Sequence, residues 1–153
     1  MKRRCRWRER LRQEGFRLTT AREAIIDLLK DSEEHLSAED IYYRLHKRHP
    51  EIGLTTVYRT LDLLSKMGIM AKFDAGEGRA RYELSESYGN KQHHHHLICT
   101  SCHKIIDYSE FLDDELQFLH KAESGLSDKY GFKITGHTIQ FKGTCPECLQ
   151  AAR

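Results

Sequence analysis

Along the front of the chain, apolar residues recur at helical spacing in four successive stretches. Trp7 and Leu11 stand four apart in a basic run that predicts a short helix over about 3–14, closed by Gly15. Thr20-Ala-Arg-Glu23 has the form of a capping box opening a second helix, with Ala24, Ile25, Leu28 and Leu29 as its apolar stripe. Ser37-Ala-Glu-Asp40 opens a third in the same way, with Ile41, Tyr42 and Leu45 on one face and Pro50 as its stop. A fourth, Val57–Lys66, is capped by Thr55 or Thr56. It turns Val57, Leu61 and Leu64 inward and leaves Thr56, Tyr58, Arg59 and Asp62 toward solvent. The period then changes to two, and Ile69–Phe73 and Arg79–Leu84 read as strands about the glycine-rich turn 75–78.

Helices joined by a tight turn and followed by a hairpin predict a winged helix-turn-helix. In that geometry the last helix enters the major groove of DNA and its N-terminal side chains reach base edges. An arginine-rich helix is as readily a solvated face, so pattern alone leaves both readings open. The back half predicts a β-β-α-β order: strands His93–Thr100 and Lys104–Tyr108, a long helix Phe111–Tyr130 and a strand Phe132–Lys142. An open sheet this small has edges that a homodimer would cover, and a two-fold dimer matches palindromic DNA. The expected fold class is α+β, with a winged helix-turn-helix domain at 1–84 and an α/β dimerisation domain at 85–153.

The 153 residues, 39% hydrophobic and 31% charged, have enough apolar material for compact cores and too much for a disordered chain. No apolar run reaches the length of a membrane span, and no apolar stretch follows the basic Met1–Arg6 segment as it would in a secretory signal. A reducing, cytoplasmic setting is therefore expected, where cysteines serve as metal ligands more than as disulfides. The net charge of +2 argues against a nucleic-acid partner until it is split. Residues 1–81 hold 18 Lys+Arg and 13 Asp+Glu, a net of +5; residues 82–153 hold 7 and 10, a net of −3. Basic side chains facing phosphates release counterions, so the front half suits DNA. The acidic back half carries seven of the ten histidines and four of the five cysteines.

Cys99-Thr-Ser-Cys102 and Cys145-Pro-Glu-Cys148 are two C-x-x-C knuckles. Two such pairs complete a tetrahedral four-sulfur site suited to a structural Zn²⁺, whereas a single pair would equally suit a thiol redox site. The 42 residues between the knuckles exceed the spacing in compact zinc ribbons, so a folded sheet must bring them together. Cys5 is left over as a spare thiol. In His93-His94-His95-His96, alternate residues of a strand share a face, so one tetrad can serve two sites. Imidazole and carboxylate donors suit Fe, Mn, Zn or Ni; the carboxylates nearby are Glu83, Asp107, Asp113, Asp114 and Glu115. A zinc deaminase is the enzyme alternative. It fails because His49-Pro-Glu51 lies in the basic half, the second knuckle lacks a leading proline, and a four-sulfur zinc leaves no position for water. A metal-buffering protein would need neither the basic helix nor the wing.

His35-Leu-Ser-Ala-Glu-Asp-Ile-Tyr42, Gly53-Leu-Thr-Thr-Val-Tyr-Arg-Thr-Leu61, His94-His-His-Leu-Ile-Cys-Thr-Ser-Cys102 and Ile105-Ile-Asp107 together resemble the ferric uptake regulator family, from about Gly15 to Cys148. The resemblance implies a homodimeric, metal-activated repressor of operator DNA. It implies structural Zn²⁺ on Cys99, Cys102, Cys145 and Cys148, and a regulatory cation, Fe²⁺ first with Mn²⁺ or Zn²⁺ as alternatives, on His35, Glu83, His94, His96 and Asp107. A further site falls on His93, His95, Asp114 and His137, with His95 where the family often has Asp. DNA contacts fall on Arg17, Arg22, Thr56, Tyr58 and Arg59. Asp107 resembles the peroxide-sensing branch, while Glu83 departs from it; an iron-type regulator is expected, with peroxide sensing and zinc-uptake regulation as alternatives.

Overall fold

A computed structural model describes residues 6–89 and 93–152. They form two compact units, one ending before and one beginning at His93. Cys5 and the start of the basic segment lie outside the described residues.

The first unit runs α1 (Arg6–Gln13), α2 (Thr20–Asp31), α3 (Ala38–His46), α4 (Leu54–Lys66), β1 (Met70–Asp74) and β2 (Ala80–Leu84). Its core takes most of the apolar positions that the periodicity marks, but in α2 the buried face is Ala21, Ile25, Ile26 and Leu29, with Ala24 and Leu28 of the expected stripe half-buried. Leu11, Ile25, Ile41, Val57, Leu61, Leu64 and Ile69 are fully enclosed, each contributing about 1.5–3 kcal/mol by leaving water. Gly15, at φ +77°, ends α1 in the left-handed region.

Three helix boundaries differ from expectation. The cap of α2 is Thr19, in extended backbone, whose hydroxyl accepts the Arg22 amide; Thr20 is already helical. The cap of α4 is Gly53, with no side-chain hydrogen bond, which puts Thr55 and Thr56 inside the first turn. Helix α3 stops at His46, before Pro50, because the amides of Arg48 and His49 both return to the Leu45 carbonyl. Its start is as expected: Ser37 and Asp40 form a reciprocal capping box, with the Asp40 carboxylate accepting the Ser37 amide at 3.0 Å.

β1 and β2 pair antiparallel, Met70 opposite Leu84 and Asp74 opposite Ala80. A separate bridge joins Leu36 to Tyr82. Its two hydrogen bonds, 3.3 and 2.9 Å, clamp the entry to α3 against the wing. Four helices and a two-stranded wing are the expected winged-helix order.

The second unit contains β3 (His95–Cys99), β4 (Ile105–Tyr108), α5 (Leu112–Tyr130), β5 (Gln140–Gly143) and α6 (Pro146–Ala151). β3 is central, antiparallel to β4 and parallel to β5. The expected strand over 132–142 shortens to four residues. In the parallel register Gln140 faces His96, and β3 begins only one residue earlier, so the segment before 139 has no strand to pair with. Pro146 opens α6, a helix the period did not reveal. No helix among the described residues is long and apolar enough to cross a membrane.

Candidate metal centres and nucleic-acid face

The register of the sheet brings the two knuckles together. β3 ends at Cys99, which sits opposite Gly143 of β5, two residues before Cys145. The Thr100 amide bonds to the Gly143 carbonyl at 2.7 Å and the Cys145 amide to Cys99 Sγ at 3.3 Å. The sulfurs of Cys99, Cys102, Cys145 and Cys148 all lie within 4.8 Å of one another, and Cys102 Sγ and Cys145 Sγ are 3.7 Å apart. A tetrahedron with Zn–S bonds of about 2.3 Å has an edge of about 3.8 Å, so this donor set fits Zn²⁺. The titration of the thiols points the same way. Amides of Cys102 and Cys145 hold Cys99 down at about 5, a ready thiolate. Cys148, hydrogen-bonded to the sulfurs of Cys145 and Cys102, is pushed up to about 12. Four thiols this close do not all ionise without a cation among them.

The histidine tetrad divides as strand alternation predicts. The rings of His94 and His96 meet edge-on at 5.2 Å, and those of His93 and His95 at 4.9 Å. On the first of these faces, His94 Nε2 lies 3.8 Å and His96 Nε2 3.7 Å from the two oxygens of Asp107, the residue paired with His96 across β4. These separations are too long for hydrogen bonds and match donors around one cation roughly 2 Å from each. In the first unit, His35 Nε2 stands 3.2 Å from Glu83 Oε2, both side chains buried. The Leu36–Tyr82 bridge fixes that pair, since His35 precedes one partner and Glu83 follows the other.

On the second face, His93, His95 and His137 bring their ring nitrogens within 4.8 Å. Asp114, assigned to this group by resemblance, is exposed on α5. The carboxylate beside His95 is Glu115, at 2.7 Å from Nδ1, and it also accepts the Tyr108 hydroxyl at 3.1 Å. Burial lowers the pKa of His95, against the pull of Glu115, and favours the neutral imidazole a metal needs. Glu123 holds His137 Nδ1 at 2.9 Å. Glu115 stood among the carboxylates read from the sequence; Glu123 did not. Helical phase would have found both, for they fall on the half-buried stripe Leu112, Glu115, Leu116, Leu119, Ala122, Glu123.

With these clusters in place, the chain can be compared with known proteins. Residues 13–142 match the ferric uptake regulator family. The chain belongs to that family. The ferric uptake regulation protein of Bacillus subtilis is 38% identical over 142 residues, covering 92% of this chain and 91% of the relative. That of Escherichia coli K12 is 34% identical, covering 90% and 86%. Among solved structures, the Helicobacter pylori ferric uptake regulator, described as having three functional metal binding sites, superposes with TM-score 0.71 at 27% identity, covering 94% of this chain and 89% of that one. The Vibrio cholerae regulator does so at TM-score 0.65 and 31% identity, covering 90% and 98%. Ferric uptake regulators are metal-dependent transcription regulators, not enzymes.

On this chain's winged helix, Thr56, Tyr58 and Arg59 are exposed on the early turns of α4, while Thr60 of the same helix is buried. The Tyr58 hydroxyl donates to Glu39 at 2.6 Å. That bond lowers the pKa of Glu39 and raises that of Tyr58. Arg17 is exposed before α2; Arg22 donates to the Arg17 carbonyl and lies 5.6 Å over the Phe16 ring. Arg81 was missed by sequence reasoning. From the wing strand β2 it donates to Glu77 at 2.6 Å and to Asp40 at 3.1 Å, tying the wing to the cap of α3.

Proposed function

We propose that the chain is a homodimeric, cytoplasmic repressor that binds palindromic operator DNA when a divalent cation, Fe²⁺ first, is held by His35, Glu83, His94, His96 and Asp107. Zn²⁺ on the four cysteines would hold the second unit together structurally. The observation that carries this reading is that each unit presents an incomplete ligand set. His35 and Glu83 pair in one, and His94, His96 and Asp107 converge in the other. Neither set alone satisfies a cation that takes four to six donors. A cation ligated by both favours one domain orientation by its tighter binding to that state, and linkage makes operator DNA tighten metal binding equally.

The dimer has support in α5, none of whose 19 residues is buried. Phe118, Phe132 and Phe141 of the second unit are also exposed. Such apolar surface on a small unit calls for a partner, and a second copy is the one the family uses. The DNA face is α4, with Thr56, Tyr58 and Arg59, supported by Arg17 and Arg22 and by the net +5 of the front half. An additional cation belongs to the group containing His93, His95 and His137.

The test is an operator-shift titration of His96→Ala against Fe²⁺, Mn²⁺ and Zn²⁺ separately. Metal-dependent binding should weaken while dimer and cysteine-bound zinc persist; unchanged metal dependence would sink the assignment. Asp107, as an aspartate, favours a second reading in which bound Fe²⁺ and peroxide oxidise His35 or His94 and release DNA. Mass spectrometry after Fe²⁺ and peroxide should then show one added oxygen on either histidine, and its absence from both rejects that route.

A further inference from the structure

We propose that Glu39 sets what Tyr58 reads on DNA. By taking the phenol proton it leaves the Tyr58 oxygen an acceptor only, so at the base it touches the tyrosine selects an amino group, on adenine or cytosine, and refuses guanine and thymine. Glu39 is thus a positioning residue that acts through Tyr58. This rests on the operator-binding reading above and deepens it by assigning a base preference and the residue that imposes it.

The two side chains come from different helices. Glu39 lies in the first turn of α3, within the Ser37–Asp40 capping box, and Tyr58 in an early turn of α4. The Tyr58 hydroxyl donates to Glu39 Oε1 at 2.6 Å, a short bond of the kind an ionised acceptor makes. The other carboxylate oxygen, Oε2, is enclosed. The bond from Tyr58, followed by the Glu39 main-chain amide, holds the carboxyl below its ordinary 4.5, so the acceptor stays ionised at neutral pH. Tyr58 itself is 44% exposed, and its one O–H proton is committed to Glu39. What it offers a ligand is oxygen lone pairs, made more basic because the proton is shared with an anion.

The charge of Glu39 works against DNA affinity in general. Arg59 from α4 and Lys72 and Arg79 from the wing line the same cleft, of about 590 Å³, and suit phosphate. Asp62, the other acid of the cleft, is paired with Lys66 at 2.8 Å. Glu39 has no ion pair among the described residues, so it repels every duplex alike through the backbone. Its effect on base edges is selective. A base oxygen meets the phenol lone pairs and the carboxylate behind them, and is repelled by both; a base amino group is attracted by both. In the major groove adenine and cytosine present such an amino group, whereas guanine presents N7 and O6 and thymine O4, all acceptors.

The experiment uses the full chain with zinc on its cysteines and Mn²⁺ supplied as the regulatory cation. Wild type, Tyr58→Phe and Glu39→Ala each select duplexes from a random pool, and the enriched duplex is titrated by fluorescence anisotropy. Wild type and Tyr58→Phe should differ at one position of each half-site, where the wild type takes adenine or cytosine. Replacing that base by its analogue without the exocyclic amino group should weaken wild-type binding about 2–10-fold, as for one lost hydrogen bond. In Tyr58→Phe the same replacement should weaken binding no further. Glu39→Ala should bind random duplex more tightly and accept guanine or thymine at that position, its hydroxyl now free to donate. A brace that merely held α3 to α4 would change all positions alike. An unchanged selection by Tyr58→Phe, guanine or thymine preferred at its position, or an amino deletion that weakens wild type and Tyr58→Phe equally overturns the proposal, and none of these needs Glu39→Ala to fold. Failure of the wild-type chain to enrich any duplex overturns the operator-binding reading and this one with it. An enriched palindrome that fails the tyrosine tests overturns this one alone.

Discussion

Arg81 donates from Nη1 to the main-chain carbonyl of His35 at 3.2 Å. The same nitrogen reaches Asp40 at 3.1 Å, and Nε reaches Glu77 at 2.6 Å. One side chain thus fastens a candidate metal ligand, the cap of α3 and the wing turn. Its side chain is 17% exposed and that of Glu77 11%, so the charges are shielded from water. Arg81→Met removes one donor from each of two carboxylates and from a carbonyl, leaving Asp40 to Ser37 and Glu77 to Arg79, a loss of about 1–3 kcal/mol. The urea midpoint of the first unit, followed by the buried Trp7, should fall accordingly. Asp40→Asn in the same chain should cost less than its effect alone, because the partner is already gone.

Acid should loosen the same network. Burial acts to raise the pKa of Asp40, but the Ser37 hydroxyl and amide and the Arg81 guanidinium outweigh it and hold the carboxyl below its ordinary 3.8. Burial likewise opposes Glu77, and Arg81 and Arg79 carry it below 4.5. Groups lowered in the folded state add stability above their unfolded pKa and lose it as pH falls through the folded value. Stability of the first unit should therefore decline below about pH 5. The decline should be shallower in Asp40→Asn, as read from urea midpoints at successive pH values.

The second unit should depend on its zinc. Among its described residues only His95, His96, Ile98 and Cys99 are buried, too small a core for a unit of this size to stand on packing alone. Stripping zinc with a chelator, or Cys102→Ser, should broaden the amide spectrum of residues 93–152 while that of 6–89 persists. Elemental analysis should show one zinc per chain lost with Cys102→Ser. A folded, zinc-free second unit would contradict the structural role.

These elements were legible in the sequence to different degrees. Helices α2 to α4 and the wing are local: their stripes and the Ser37–Asp40 box repeat within one turn, so spacing alone finds them. The cysteine cluster was legible because both knuckles are local, although only the β3–β5 register explains how 42 intervening residues are spanned. The strand expected over 132–139 was not formed, because alternation says nothing about whether a neighbour exists to pair with. Helical phase places Glu123 on the inner stripe of α5, but what it and Arg81 bind was illegible for a related reason. Their partners, His35 and Asp40 for one and His137 for the other, are chosen by packing between elements distant in the chain.

The unpartnered face of the second unit should govern assembly. Phe118 is 72% exposed on α5, a helix whose inner stripe is only half-buried. Phe118→Glu places a charge on a surface that a partner would desolvate, which costs several kcal/mol at a buried interface. Sedimentation should show the wild-type chain as a dimer and the variant shifted toward monomer at micromolar concentration. A variant dimer of undiminished affinity would place the interface elsewhere.

DNA reading should separate Arg59 from Arg17. Tyr58 is held by its bond to Glu39, which fixes the neighbouring turn of α4 and presents Arg59 from a rigid frame. A base-reading arginine loses about 1–3 kcal/mol on truncation and relaxes sequence preference at one position. A phosphate-contacting arginine weakens binding to all sequences alike and lowers the salt slope by about one. Arg59→Ala should therefore lower operator affinity about 5–150-fold at fixed salt, with binding to random DNA little changed. Arg17→Ala should weaken both and flatten the salt dependence. Glu39→Gln removes an anion beside the DNA face, so it should tighten binding to random DNA at low salt. Fluorescence anisotropy across a salt series, with metal held constant, reads all three. If Arg59→Ala weakens operator and random DNA equally, α4 contacts phosphate there and base recognition lies with Thr56 and Tyr58.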